Sequence, residues 1–377
     1  MILAMSGTSP ASRDFDWGAL EIMMMRAKKA TLKSIAKDLG ITHTTVSNVY
    51  NNPAKVSEAL RQKILDYARR VNYEGPNPTA RSLKKGRCGA IGIIFNDQLS
   101  YAFTDAHDIA FLQGVSSVCE IEGTNIVLIP LMTKASNKLD MLTAIVDGYI
   151  LNAPYKDNPG TQKALARGLP TVVVDFYAPQ HVSVMTNDRA IMAEVTRHIL
   201  DLGHRRIAIV TFPHSEGGQE LFSLDREISS DNYVVSERLQ GCRQALVSAG
   251  IALDTVLVCE APNSGEGGKV AVDRMLSTQP GITAFICLSD RLAYGAMARC
   301  RQLGLAIPDR VSVTGFDNLL PIEREPDLPR LTTVAQNAFE KGRKAAEALL
   351  SQNSKKERRI NINAEFIPGE STGIVER

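Results

Sequence analysis

The chain has 377 residues, 44% of them hydrophobic and 22% charged, so it resembles an ordinary globular protein with room for two or three domains. No apolar run approaches the roughly 20 residues of a membrane span, and the six cysteines lack a metal-ligand spacing. We therefore predict no membrane anchor, metal or other cofactor. The net charge of +2 is unevenly distributed: residues 26–87 hold 14 Lys/Arg against 4 Asp/Glu, and the remainder holds 29 against 37. A basic segment on an acidic body indicates a polyanionic partner for that segment.

The first 28 residues lack the basic start and continuous apolar centre of a signal peptide. We predict that residues 1–28 are a disordered leader, with Met23, Met24 and Met25 as alternative starts. Without a signal peptide, the expected location is the cytoplasm, near the nucleoid.

Residues 31–52, TLKSIAKDLGITHTTVSNVYNN, predict two short helices around a tight turn. Thr31 and Thr42 suit the N-cap positions, and Gly40 suits the left-handed end of the first helix. The outward positions of the second helix carry short polar side chains: His43, Thr44, Thr45, Ser47 and Asn48. Such a face suits a DNA major groove. An ordinary helical hairpin with a solvated face stays open as the alternative.

A third helix is predicted from Ser57 to about Val71, which completes a small head over residues 29–75. Residues 76–87, PNPTARSLKKGR, contain structure-breaking prolines followed by basic residues. They form either a simple basic linker or a linker that touches DNA through an arginine and an apolar wedge.

From residue 90 onward, apolar runs alternate with helical patterns. The predicted strands are AIGIIF (90–95), NIVLIP (125–130), DGYILN (147–152), PTVVVDF (170–176), RIAIVTF (206–212), TVLVCE (255–260), TAFICLS (283–289) and VSVTGFD (311–317). Continuous apolar strands separated by helices indicate parallel sheets covered on both faces. About 290 residues of this pattern exceed one domain, so we predict two similar doubly wound α/β lobes. Lobe 1 is expected at about 88–185 plus 318–334, and lobe 2 at about 186–317 plus 335–377.

Ligands of such sheets bind beyond the carboxyl ends of the strands. That rule selects Asn96, Asn152, Asp175 and Asp290, each at or just past a strand end. Signals for catalysis are weak, because SGEGGK (264–269) lacks the Walker spacing and no nucleophile elbow is present. We predict that the chain is not an enzyme.

Taken together, head, linker and body resemble the lactose-repressor (LacI/GalR) family of bacterial transcription regulators over roughly residues 30–377. In the head, TLKSIAKDLGITHTTVSNVYN resembles the family's helix-turn-helix pattern, and PNPTARSL resembles its hinge PNALARSL. In the body, ERLQGCRQAL, SDRLAYGAM, GLAIPDRVSVTGFDN and LPRLTTVAQ resemble the family's effector-domain signatures, in the family's order. The resemblance implies a helix-turn-helix head on a periplasmic-binding-protein-like body.

The resemblance also implies roles for individual residues. Thr42, His43, Thr44 and Asn48 fall in the DNA-reading segment, with Thr45 and Ser47 expected to hold phosphates. The hinge match implies a minor-groove wedge at Leu83 with Arg81 nearby. The implied effector-binding residues are Arg238, Asp290 and Asp175, with Tyr101 and Phe103 proposed as a stacking wall or as ordinary lobe-surface packing.

Two positions depart from the family pattern. Asn48 stands where the family usually has arginine, and asparagine pairs best with adenine whereas arginine pairs with guanine. Residues 213–235 form a longer, more polar connection than the family's, either a surface loop or a cap on the cleft.

The predicted function is a DNA-binding transcriptional regulator, expected to be a repressor. It binds a pseudo-palindromic operator as a homodimer or tetramer and responds to a small molecule, a carbohydrate or nucleoside, held between the lobes. The alternatives are a two-lobed sensor that does not bind DNA and a sugar-processing enzyme.

Overall fold

The computed structural model describes residues 30–76, 86–95, 99–131, 144–215, 218–227, 231–320, 328–351 and 358–375. The chain divides into two units, residues 1–87 and residues 88–377. Within the described part of the first unit lie α1 (Leu32–Asp38), α2 (His43–Asn51), a 3₁₀ turn (Pro53–Lys55) and α3 (Glu58–Arg70). These helices bury a small apolar core made of Ile35, Ala36, Val46, Val49, Ile64 and Ala68.

Capping side chains set the ends of the two shorter helices. Thr31 accepts a hydrogen bond from the Ser34 amide at 3.1 Å, and the Ser34 hydroxyl accepts one from the Thr31 amide at 2.9 Å. Gly40 follows in the left-handed region, with φ +66°. Thr42 then caps α2 by accepting from the Thr45 amide at 3.1 Å. The predicted helix pair is therefore present with the predicted caps.

Lobe 1 of the second unit is built on a six-stranded parallel sheet in the order β12-β5-β4-β3-β1-β2. Its strands are β1 (Ala90–Phe95), β2 (Asn125–Pro130), β3 (Tyr149–Asn152), β4 (Thr171–Val174), β5 (Val182–Thr186) and β12 (Arg359–Ile362). Its helices are α4 (Leu99–Ala102), α5 (Ala106–Glu122), α6 (Pro159–Ala166) and α11 (Ala338–Leu350).

Lobe 2 is built on a five-stranded sheet in the order β10-β9-β6-β8-β7, of which only the edge strand β7 is antiparallel. Its strands are β6 (Ile207–Thr211), β7 (Leu221–Ser223), β8 (Leu257–Glu260), β9 (Ala284–Cys287) and β10 (Ser312–Thr314). Its helices are α7 (Asp188–Asp201), α8 (Tyr233–Ser248), α9 (Gly265–Thr278) and α10 (Asp290–Gln302), with a 3₁₀ turn at Leu253–Thr255. A short antiparallel ribbon joins β11 (Thr333–Ala335) to β13 (Glu365–Ile367).

The predicted fold class is confirmed, because a helical head precedes two α/β lobes with parallel sheets. None of the helices that the model describes is long and apolar enough to cross a bilayer. The strand predictions missed β5, β7 and the three C-terminal strands, which are short and less continuously apolar.

The predicted division of the C-terminal part between the lobes is wrong. Residues 328–335 stay with lobe 2, where Thr332 bridges to Thr314 beside β10. The chain then returns to lobe 1 for α11 and β12, and residues 365–375 go back to lobe 2. Within the described residues, the chain therefore crosses between the lobes three times, at residues 186–188, 335–338 and 362–365.

Two glycines explain why α11 belongs to lobe 1. A Cβ on Gly342 would lie 2.0 Å from the carbonyl oxygen of Phe111 in α5, and a Cβ on Gly114 would lie 2.0 Å from that of Phe339. Only glycine permits this close approach of the two helix backbones. The pairing of α5 with α11 fixes the second crossing at residues 335–338.

The long connection at residues 213–235 forms an excursion from lobe 2. Its strand β7 adds an edge to the sheet, and the buried Glu260 carboxylate accepts hydrogen bonds from the His214 amide at 2.9 Å and the Glu220 amide at 3.2 Å. Its returning end contacts lobe 1, where the Lys156 amide donates to the carbonyl oxygen of Asp231 at 2.9 Å. The excursion is therefore both a sheet edge and a link between the lobes.

Candidate DNA-reading helix and ligand cleft

Helix α2 presents polar side chains on the side away from the head's core. Thr42, His43 and Thr44 are exposed, whereas Val46 and Val49 on the opposite side are buried. Exposed side chains at a helix N-terminus are free to reach base edges in a major groove. The structure thus brings the predicted DNA-contacting residues of this segment onto one helix and its cap.

Thr45, Ser47 and Asn48 are half-buried beside that surface. Thr45 Oγ1 lies 2.8 Å from Thr42 Oγ1, and Ser47 Oγ accepts from Asn51 Nδ2 at 3.1 Å. These bonds orient both hydroxyls and leave each with capacity for a further hydrogen bond. The predicted hinge residues Arg81 and Leu83 lie outside the described residues, as does the strand-end residue Asn96.

Arg238 lies at the cleft side of lobe 2, where the second turn of α8 places it. Its Nε donates to Asp188 Oδ1 at 2.8 Å and its Nη1 donates to the carbonyl oxygen of Leu288 at 2.7 Å. The guanidinium carbon lies 3.5 Å from the centre of the Phe316 ring. Arg238 is only 3% exposed, so its charge depends on Asp188 for compensation.

Asp175 follows β4 and faces the same cleft from lobe 1. Its Oδ2 accepts from Lys341 Nζ at 2.6 Å, and Lys341 also bonds to Gln336, which in turn bonds to Asp317. Burial raises the pKa of Asp175, but the Lys341 ammonium and the charge of Arg238 outweigh burial and hold that pKa below its usual range. These hydrogen bonds link Asp175 of lobe 1, through Lys341 and Gln336, to Asp317 of lobe 2.

Asp290, an effector contact implied by the resemblance, is held by hydrogen bonds within lobe 2. Its side chain is fully buried, with Oδ1 accepting from the Thr333 hydroxyl at 2.5 Å and Oδ2 from the Leu319 amide at 2.6 Å. Burial and the neighbouring Asp317 charge raise the pKa of Asp290 to about 7. Both oxygens are committed to protein donors, so Asp290 braces the loop after β10. In this arrangement Asp317, not Asp290, is the lobe 2 carboxyl group linked to Gln336.

The two proposed aromatic residues have different surroundings. Phe103 is 58% exposed and forms no wall of the buried cluster. Tyr101 lies at the cleft, where its hydroxyl donates to Asp105 Oδ2 at 2.9 Å and accepts from Asn263 Nδ2 at 2.9 Å. The Arg291 guanidinium lies 5.1 Å from the centre of its ring. Tyr101 therefore takes part in polar contacts between the lobes rather than in a stacking wall.

Three polar residues of lobe 1 complete the cluster. Asn152 Nδ2 donates to Asp108 Oδ1 at 3.0 Å, and His107 Nδ1 lies 3.5 Å from the same oxygen. Asn152 Oδ1 and His107 Nε2 are buried and have no hydrogen-bond partner among the described residues. Burial lowers the pKa of His107, but the Asp108 hydrogen bond and the charges of Asp317 and Asp108 raise it above its usual value. Buried polar atoms of this kind can bind an ordered water or a polar ligand.

The backbone around the cleft adopts sparsely populated conformations. Among the described residues, six non-glycine residues have positive φ, and five of them lie at strand ends or crossings of the body: Ala153, Asp175, Asp317, Asn318 and Asn337. Such conformations cost about 1–3 kcal/mol each and concentrate at binding sites. Their position supports the cleft as the ligand site.

Several cleft residues were missed by the residue-level predictions: Asp105, His107, Asp108, Asn263, Arg291, Asp317, Gln336 and Lys341. Arg291, Asp317 and Gln336 lie inside segments that resemble the family's signatures, so the resemblance held a signal for them. Lys341 lies on α11, a helix assigned to the wrong lobe. Its fully buried ammonium depends on the pairing of α5 with α11, which the local sequence does not show.

Comparison with known proteins identifies the type of domain in each part of the chain. Residues 31–77 match the model of the bacterial regulatory proteins of the lacI family, and residues 196–372 match the periplasmic binding protein-like domain. The lac repressor dimer bound to operator and an anti-inducer has a similar fold, with TM-score 0.73 and 21% identity, covering 92% of this chain and 100% of that one. A LacI family regulator from Enterococcus faecium with bound ribose has TM-score 0.62 and 23% identity, covering 76% and 100%.

A closer relative extends over nearly the whole chain. An HTH-type transcriptional regulator of Mycolicibacterium smegmatis is 35% identical over 336 residues, which cover 85% of this chain and 90% of the relative. The similarity spans the helix-turn-helix head and both lobes, and the relative is a regulator rather than an enzyme. The chain belongs to the LacI family of DNA-binding transcriptional regulators.

Proposed function

We propose that this regulator is a repressor that binds a pseudo-palindromic operator as a homodimer and responds to an uncharged carbohydrate in the cleft. The lac repressor of similar fold was solved as a dimer on its operator. A dimer places two heads about one helical turn apart on DNA, which requires two related half-sites. Operator binding also implies a cytoplasmic, nucleoid-associated protein. The proposal leaves open a tetramer formed from two such dimers.

In the head, the exposed Thr42, His43 and Thr44 are the proposed base contacts, together with Asn48 at the edge of the same surface. Thr45 and Ser47 hold phosphates through their oriented hydroxyls. Many positive charges in residues 26–87 supply the non-specific part of DNA affinity. For Arg81 and Leu83, outside the described residues, the hinge role stays a prediction.

The observation that carries the ligand proposal is the pair of unsatisfied buried atoms, Asn152 Oδ1 and His107 Nε2. The first is an acceptor, and the second donates or accepts according to its tautomer. Sugar hydroxyls both donate and accept, so one polyhydroxylated ligand satisfies both atoms. The E. faecium regulator of similar fold was solved with ribose, which is a ligand of this class.

The charges of the cluster favour an uncharged ligand over a phosphorylated one. Its three strong cations are already matched by carboxylates: Arg238 with Asp188, Lys341 with Asp175, and Arg291 with Asp105. Asp317 adds a carboxyl group that bonds to Gln336 and has its pKa raised by burial to about 6. A phosphate group entering this cluster meets cations that are already paired and one additional carboxyl group. The free-energy cost of removing water from the phosphate is therefore not offset by new ion pairs.

The aromatic faces favour a carbohydrate over a nucleoside. Nucleobases bind by stacking on aromatic rings, but Arg238 covers a face of Phe316 at 3.5 Å. Arg291 lies over the ring of Tyr101. A nucleoside would have to displace Arg238 or Arg291 to stack on the ring face that each of them covers. Hydroxyl groups need no such surface, since they bind to the polar atoms already present.

The proposed mechanism couples the cleft to DNA through the lobes. The linker from the head enters lobe 1 at Cys88. A ligand that bridges the lobes therefore changes the relative position of the two linkers in a dimer. Coupling energies of this kind are typically about 1–3 kcal/mol and act equally in both directions. A two-lobed sensor that does not bind DNA is the rival function, and the basic helix-turn-helix head argues against it.

A thermal-shift panel tests the ligand class. Free pentoses and hexoses, their phosphates and nucleosides are added separately to the full-length protein. A free sugar present at 100 times its Kd stabilises the folded state by about 2.7 kcal/mol, which raises Tm visibly. Asn152→Ala abolishes the shift, whereas Asn361→Ala, at an exposed position on the edge strand β12, keeps it. Stabilisation by phosphates or nucleosides alone contradicts the proposal.

A further inference from the structure

A network of four side chains joins the lobes beside the cleft. Tyr101 and Asp105 belong to lobe 1, and Asn263 and Arg291 belong to lobe 2. Arg291 Nη1 donates to Asp105 Oδ2 at 3.1 Å, and the same oxygen accepts from the Tyr101 hydroxyl at 2.9 Å. The Tyr101 oxygen in turn accepts from Asn263 Nδ2 at 2.9 Å. These three bonds join protein atoms only, and Arg291 Nε is a buried donor without a hydrogen-bond partner among the described residues.

The ion pair in this network is poorly accessible to solvent. The side chains of Arg291 and Asp105 are 17% and 7% exposed. Separating the lobes would leave each charge without its partner, although water would then hydrate both. Charge-assisted hydrogen bonds with limited solvent access are stronger than exposed ion pairs, whose median contribution is close to zero. The contact is therefore more than a surface salt bridge.

Both ends of the ion pair are held in place by their own lobes. Asp105 uses its other oxygen, Oδ1, to cap α5 by accepting from the His107 amide at 2.9 Å. On the opposite side, Asn263 Oδ1 accepts from the Ser289 hydroxyl at 2.5 Å, which orients its amide toward Tyr101. Arg291 is the second residue of α10, so its backbone is fixed as well. Because both halves are held in position, little conformational freedom is lost when they meet.

We propose that Arg291, Asp105, Tyr101 and Asn263 form a latch that holds the two lobes closed whether or not a small molecule occupies the cleft. The latch sets the fraction of molecules in which the two lobes are closed. A ligand that binds only the closed form has an apparent affinity proportional to that fraction, so weakening the latch weakens ligand binding. This consequence for ligand affinity rests on the proposed function. The latch itself does not, because closure is measurable without any ligand.

A backbone hydrogen bond provides the reporter. The Lys156 amide in lobe 1 donates to the carbonyl oxygen of Asp231 in lobe 2, and this bond involves none of the latch side chains. Lys156 is exposed, so its amide exchanges with solvent quickly once the lobes separate. Hydrogen–deuterium exchange at this amide, resolved by fragmentation mass spectrometry on the full-length protein, therefore follows the open population.

The test compares Arg291→Met with Arg299→Met. Arg299 is on the same helix, and its ion pair with Asp273 at 2.7 Å stays within lobe 2. We expect exchange at the Lys156 amide to become about tenfold faster in Arg291→Met and to stay unchanged in Arg299→Met.

Tyr101→Phe provides a milder second variant, since it removes one hydroxyl and preserves the ring. We expect about threefold faster exchange at the Lys156 amide in this variant. Unchanged exchange in both Arg291→Met and Tyr101→Phe would overturn the latch. An equal acceleration in Arg299→Met would also overturn it, because the effect would then be general loosening of α10. A failed ligand screen leaves this result untouched and counts only against the proposed function.

Discussion

The head and the cleft present their polar groups in contrasting ways. In the head, Thr42, His43 and Thr44 are neighbours in the sequence and exposed on one short helix. In the cleft, Asp175, Arg238 and other buried side chains come from distant parts of the chain. The exposed side chains of the head are open to water until DNA binds, whereas the buried charged side chains of the cleft are paired with one another. The first site therefore tolerates substitution structurally, and the second does not.

This contrast predicts the largest effect for Arg238. Arg238→Ala leaves the Asp188 carboxylate buried without its partner and opens space over Phe316. We expect the free energy of unfolding of the second unit to fall by about 3–5 kcal/mol, the cost of breaking a buried pair. Urea titration followed by circular dichroism measures it. Arg243→Ala, at a half-buried position on the same helix, should cost about 1 kcal/mol or less. Equal losses in the two variants would contradict the contrast.

A substitution in α2 should change DNA recognition without changing stability. Asn48→Ala removes an amide that suits adenine, so discrimination at one base of each half-site should fall by about 1–3 kcal/mol. Selection from a random library followed by competition binding at fixed salt measures this preference. Asn51→Ala is the matched control, because the Asn51 amide bonds within the helix to Ser47. An unchanged preference in Asn48→Ala would show that Asn48 does not read a base.

The smallest expected effect concerns the pH dependence of stability. Because burial raises the pKa of Asp290 to about 7, its protonated form is favoured in the folded state, and its stabilisation is lost as pH rises from about 4 through 7. Asp290→Asn stays neutral and keeps the shape of the carboxyl group. Relative to the wild type, its free energy of unfolding should therefore increase by about 1 kcal/mol between pH 6 and pH 7. Urea titration at each pH measures it.

Asp254→Asn, at an exposed position, serves as the control and should show no such trend. A second readout concerns the ligand. Because both Asp290 oxygens are committed to Thr333 and Leu319, Asp290→Asn should leave sugar binding unchanged. Loss of sugar binding in this variant would restore Asp290 as an effector contact.

The same contrast explains how much could be predicted from the sequence. The head follows from local signals, since caps such as Thr31, Gly40 and Thr42 act within a few residues and the apolar face repeats with the helix. The parallel strands also have a local signal in their continuous apolar runs. The cleft depends on which helix pairs with which. The close backbone approach of Gly114 to Phe339, and of Gly342 to Phe111, joins residues more than 200 positions apart in the chain, so no local pattern indicates it.

Asp290 and Lys341 show the two consequences of that limit. Strand-end position and family resemblance place Asp290 near the ligand, but they do not reveal that the Thr333 and Leu319 donors consume its oxygens. Lys341 resembles an ordinary surface lysine of an amphipathic helix. It becomes fully buried only because α11 returns to lobe 1 and brings it to Asp175. Charge pairing in the cleft is a property of the topology, and the sequence alone predicts its members only in part.

In the proposed mechanism, the cleft and the DNA-reading head are energetically coupled. The measurement that tests it is calorimetric titration of the full-length protein with the sugar that the thermal-shift panel selects, with and without an operator duplex. Coupling of about 1–3 kcal/mol predicts that operator DNA changes the Kd for the sugar by roughly 5-fold to 150-fold, and that the sugar changes operator affinity by the same factor. The same Kd for the sugar with and without operator would contradict this coupling.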